Sequence, residues 1–70
     1  MPLLLSDINK ELKIVKITSN QKTKQHLANL GIIPGSTLEI LSKASGNLIV
    51  KVLEGRIAID ENLARQIIVM

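Results

Sequence analysis

The stretch "HLANLGIIPGSTLEIL", His26–Leu41, decides how this chain folds. Two of its four glycines and one of its two prolines fall within five residues, inside an apolar run. Leu27 and Leu30 lie three apart and share one side of a helix. Gly31 stands where a helix takes its left-handed terminating residue. Pro34 presets φ, and Gly35 supplies the positive φ that a type II turn demands at its third position. Ile33-Pro34-Gly35-Ser36 is therefore a tight reversal. It hands the chain from a helix end to an alternating segment, "STLEILS", with Leu38 and Ile40 on one face.

Upstream, "SNQKTKQHLANLG" is the helix itself, with Ser19 or Asn20 as its cap. Its first two turns are polar, so only the last turn can dock deeply. Before it, "LKIVKIT", Leu12–Thr18, is a breaker-free strand rich in β-branched residues. Ile14 and Val15 fall on opposite faces, which calls for a bulge or burial on both faces. "LSDIN", Leu5–Asn9, reads as a helical turn with Ser6 as a cap.

Downstream, "NLIVKVLEG" puts Leu48, Val50 and Val52 on one face, and "KASGN" with Gly46 is the hairpin loop before it. "LEGRIAID" is a second hairpin around Gly55, with Ile57 and Ile59 inward. "ENLARQ" makes a short helical turn, and "QIIVM" closes the chain as a strand. The fold class is mainly β. Five short strands form one small barrel, with one short helix between strands 1 and 2 and a helical turn before the last strand. Residues 1–70 make a single domain.

Composition narrows the function. A domain of 70 residues buries only about 60% of its unfolded surface, so stability is marginal. The chain has no cysteine, which excludes disulfides and thiolate zinc sites. It has no aromatic residue, so the core is aliphatic. Leu3, Leu4 and Leu5 are too short a run for a membrane span or a secretory signal. A soluble, cytoplasmic protein is expected.

The net charge is +3, but it is not evenly spread. Lys10 to Lys24 holds five lysines against Glu11 alone, a net of +4. Such a patch keeps a small domain solvated, or it steers an acidic protein, a membrane surface or a nucleic acid.

Catalytic groups are scarce. Ser6, Ser19, Ser36, Ser42 and Ser45 fall at turns and element ends, where capping explains them. Gly31 and Gly35 lack the Lys-Ser/Thr of a phosphate loop and precede a strand. No enzymatic activity and no cofactor are expected. His26 is the one imidazole and a weak candidate metal ligand. Asp7 with Glu11, and Asp60 with Glu61, make no histidine–carboxylate cluster by spacing, so no metal site is assigned. Proline-rich peptides dock in aromatic-lined grooves, and small barrels stack bases on aromatics. Both ligand classes are disfavoured here.

Protein–protein contact is what remains. Leu41, Ile49 and Leu53 fall on the face opposite the core positions, and Lys22, Lys24 and His26 lie on the helix. These six are the partner-binding candidates: an apolar patch with basic residues to orient an acidic surface. A weak homo-oligomer through the apolar patch is a second use of it.

The order of signals resembles the FeoA family of small ferrous-iron-transport proteins. The resemblance is carried by Leu27, Leu30 and Gly31, then Pro34 and Gly35, then Leu38 and Ile40. Gly55, Ile57, Ala58 and Ile59 follow, then Ala64, Ile67 and Val69. It implies a Src-homology-3-like barrel in which Gly31, Pro34, Gly35 and Gly55 are structural turn residues. It implies a cytoplasmic accessory protein whose partner is a FeoB-type Fe(II) transporter with a guanine-nucleotide-binding domain. It also implies no insertion into the membrane. The family often places a glycine before the first strand where this chain has Asn9, and a left-handed Asn9 would serve. The same fold serves as a C-terminal domain of iron-dependent repressors; with no DNA-binding segment, the stand-alone form is expected. The alternatives are a small metal-responsive module and a basic nucleic-acid-binding barrel.

Overall fold

The computed structural model describes residues 1–53 and 55–70. Its strands are β1 (Glu11–Ile17), β2 (Thr37–Ala44), β3 (Asn47–Val52), β4 (Gly55–Asp60) and β5 (Ile67–Val69). Helix α1 (Gln21–Asn29) joins β1 to β2, and α2 (Glu61–Gln66) joins β4 to β5. All strand pairs are antiparallel, in the order β4-β3-β2-β1-β5.

The core is the alternation made solid. Ile14, Ile40, Leu48, Val50, Ile59, Ile67 and Val69 are buried from the strands. Leu3, Leu27, Ile32 and Ala64 close it from outside the sheet. In β1, Leu12 and Ile14 point inward, then the register shifts between Ile14 and Lys16. Val15 is the extra residue and stays exposed, which returns Ile17 to the core. A second shift, between Ile40 and Ser42, makes Leu41 the extra residue of β2.

The corner forms as its glycines require. Ile32 N–H donates to Leu27 C=O at 2.9 Å and Gly31 N–H donates to Ala28 C=O at 3.0 Å. These two bonds are a Schellman ending, and Gly31 has φ +92°. Ser36 N–H donates to Ile33 C=O at 3.1 Å across the Pro34-Gly35 turn, with Gly35 at φ +93°. Gly35 N–H then donates to Ile14 C=O, and Ile14 N–H to Ser36 C=O, both at 2.8 Å. The turn is thereby stitched to β1. Asn20 Oδ1 accepts from Thr23 N–H at 2.8 Å and caps α1, and Asp60 Oδ1 accepts from Leu63 N–H at 2.8 Å and caps α2. Asn9 is left-handed, at φ 59°.

Two expectations change. Among the described residues β4 and β5 are not paired, so the hydrogen-bonded sheet is open and not a closed barrel. The cause is α2: it occupies the connection between them, with Ala64 buried, and β5 has only three residues to offer a partner. The N-terminal turn covers Leu3–Leu5 as a 3₁₀ turn rather than Leu5–Asn9, with Ser6 after it and buried. Met1 and Pro2 pair with β5, where Val69 N–H donates to Met1 C=O at 2.8 Å. The second hairpin forms around Gly55 as expected: Gly55 opens β4 opposite Val52, and Leu53 is left-handed, at φ 49°.

Candidate functional site

An apolar groove lies between the end of β1 and helix α1. Lys16 and Ile17 form one wall. Gln21, Lys24, Gln25 and Ala28, at helical spacing, form the other. Ile32, Ile33 and Pro34 close it from the corner that follows Gly31. The groove exists because α1 docks only by its last turn: of its nine residues only Leu27 is buried. The polar first turns are left standing away from β1, and the corner brings Ile33 and Pro34 to the surface beside them. Ile33 is 43% exposed although its neighbour Ile32 is fully buried.

The charge around the groove has one sign. Residues 12–38 contain no Asp or Glu and four lysines, Lys13, Lys16, Lys22 and Lys24. All four are exposed. Among the described residues none of them is in an ion pair, whereas Lys10 pairs with Asp7 and Arg65 with Glu61. Lys51 stands opposite Glu39 in the sheet, and Lys43 Nζ donates to Leu4 C=O at 3.1 Å.

The six partner-binding candidates fall in different places. Lys24 lines the groove, while Lys22 and His26 are exposed on the same helix. Leu41 and Ile49 are half-buried on neighbouring strands β2 and β3. Leu53 is at the β3–β4 hairpin, 80% exposed, with its side chain lying over Gly31. Of the groove residues, sequence reasoning picked out only Lys24 as a partner-binding candidate and missed the apolar ones, Ile17, Ala28, Ile32, Ile33 and Pro34. Their signal was present only as an unpaired stretch of lysines flanking a β-branched pair.

Three of the four carboxylates weighed for metal binding have other work. Asp60 caps α2, Glu61 receives Arg65 at 2.9 Å, and Asp7 faces Lys10 at 3.5 Å. No group of three His, Cys, Asp or Glu side chains converges among the described residues. No helix of the described residues is long and apolar enough to cross a membrane.

The FeoA domain family model matches residues 1–70. The chain belongs to the FeoA family. That family is associated with ferrous iron transport. Among solved structures the chain is similar to a crystal structure of an iron uptake regulatory protein (FeoA), at 29% identity and TM-score 0.86. The match spans 99% of this chain and 92% of that one. It is similar to the FeoA protein from Chlorobium tepidum, at 20% identity and TM-score 0.90, over 99% of this chain and 68% of that one. It also matches ScaR with bound Zn2+, at 20% identity and TM-score 0.84, over 99% of this chain but 35% of that one. That last likeness is one of fold. No curated protein sequence matches the chain.

Proposed function

We propose that this FeoA-family chain is a non-enzymatic, cytoplasmic accessory protein of ferrous iron uptake. It binds the cytosolic part of a FeoB-type Fe(II) transporter and modulates its nucleotide cycle or assembly. The observation that carries the reading is the family match over the whole chain. Two further features support it. The chain offers an apolar groove with a basic rim, which suits a protein partner. Three of its carboxylates, Asp7, Asp60 and Glu61, serve a helix cap or ion pairs. Strand order and helix placement support a Src-homology-3-like description, with α2 covering the open side of the sheet.

Calorimetric titration of the chain into the transporter's purified cytosolic part tests this. Saturable association, with a changed rate of guanine-nucleotide hydrolysis or a changed oligomer size, is the expected result. Absence of both heat and any such change at low ionic strength, with both proteins folded, refutes it.

A further inference from the structure

We infer that the α1–β1 groove is a docking site for an acidic amphipathic segment of a protein partner. That the segment belongs to the transporter rests on the function proposed above; the groove itself is read from this chain.

Size sets the first limit. The groove holds about 290 Å³, at or below the roughly 300–1,000 Å³ of pockets that enclose small molecules. It takes one or two apolar side chains, not a cofactor. Chemistry sets the second. Its accessible apolar surface is Ala28, Ile33 and Pro34, over the buried Ile17 and Ile32, and Lys16 and Lys24 stand on its two walls. An occupant must therefore present an apolar anchor with carboxylates to either side.

Charge complementarity decides between occupants. Among the described residues the lysines on β1 and α1 have no carboxylate partner, as Lys43, Lys51 and Arg56 have none, but the β1 and α1 lysines lie in a stretch without any Asp or Glu. Four unpaired positive charges over residues 12–38 repel one another, and an acidic segment relieves that repulsion on binding. A second copy of this chain would bring the same lysines and is disfavoured. A nucleic acid would satisfy the lysines but leave the apolar surface uncovered, and the chain has no aromatic side chain to stack a base. A flat bilayer cannot enter a groove between a helix and a strand.

Isotope-labelled full chain, titrated with two synthetic peptides and followed by amide shifts, tests the inference. One peptide is a 15-residue amphipathic helix of leucine and glutamate; the other replaces each glutamate by lysine. The acidic peptide is expected to bind on the order of ten-fold tighter or more. Its shifts should centre on Lys16–Ile17, Gln21–Ala28 and Ile32–Ile33. K16E/K24E should abolish the preference, and Ile33→Ser should weaken the acidic peptide; all three positions are exposed, so neither variant should unfold. K43E, outside the groove, should leave binding unchanged. Equal binding of the two peptides, or shifts centred on Leu41 and Ile49, overturns the inference. So does a result in which mixed-sequence RNA or anionic vesicles move the groove residues and the acidic peptide does not. The transporter titration is read separately: if the acidic peptide binds in the groove and the transporter does not bind, the groove stands and the partner assignment falls.

Discussion

A methyl group placed on Gly31 would sit 2.9 Å from Cδ1 of Leu53, so the end of α1 and the β3–β4 hairpin meet where this chain carries no side chain. Two effects therefore oppose substitution at Gly31, and their sizes differ. The backbone is left-handed at φ +92°, which costs a β-carbon about 1–2 kcal/mol. The crowding falls on the far end of a side chain that is 80% exposed and free to swing away. The backbone term should dominate. Gly31→Ala is predicted to lose about 1–2 kcal/mol in urea denaturation. The double variant Gly31→Ala/Leu53→Ala should recover less than about 0.5 kcal/mol of it. Full recovery would make crowding the cause.

Gly35 separates the same two effects differently. It has φ +93° and nothing within 4 Å of an added β-carbon. Only the backbone preference opposes a side chain there. Gly35→Asn should be tolerated, since asparagine visits this conformation, whereas Gly35→Val should lose about 2 kcal/mol or more. For a domain this small, 1 kcal/mol lowers the melting temperature by about 4–8 °C. Thermal melts should rank wild type, Gly35→Asn, then Gly35→Val. A Val variant that melts with wild type contradicts the turn.

Ile32 and Ile33 are adjacent and do opposite things. Ile32 is fully buried and its N–H completes the helix ending. Ile32→Ala should cost about 2–5 kcal/mol, much of the roughly 3–10 kcal/mol expected of the whole domain. Ile33 is 43% exposed beside the groove. Ile33→Ala should change stability by no more than about 1 kcal/mol. Chemical denaturation of the two variants side by side checks the assignment, and equal losses would refute it.

Each helix hangs on one capping side chain. Asn20→Ala and Asp60→Ala should each cost about 1 kcal/mol, because each leaves a helix N–H without its acceptor. The replacements Asn20→Ser and Asp60→Asn should keep most of it. Amide hydrogen exchange at Thr23 and Leu63 reads the two caps separately. Unchanged exchange in both alanine variants would show that the caps contribute nothing.

What could be read in advance was local. The glycine corner, a cap at Ser19 or Asn20 and the inward alternation of β2 and β3 each follow from neighbours within a turn or two. Adjacent Ile14 and Val15 called for a bulge or burial on both faces, and the structure has the bulge. The pairing of Met1 with Val69 was not legible, since its two halves are 68 residues apart. Nor was the open edge, which depends on α2 standing where β4 and β5 would have met. The candidate site divides the same way. The lysines of α1 were visible as charge without counter-charge. Their neighbour across the groove is the end of β1, not the half-buried Leu41 and Ile49, and only the docking angle of α1 decides that.

The most direct measurement is an amide-shift map of the labelled chain as the transporter's cytosolic part is added. Saturable shifts at Lys16, Lys24, Ala28 and Ile33, lost in K16E/K24E, are the predicted result. A spectrum unchanged at saturating partner concentration would contradict the account.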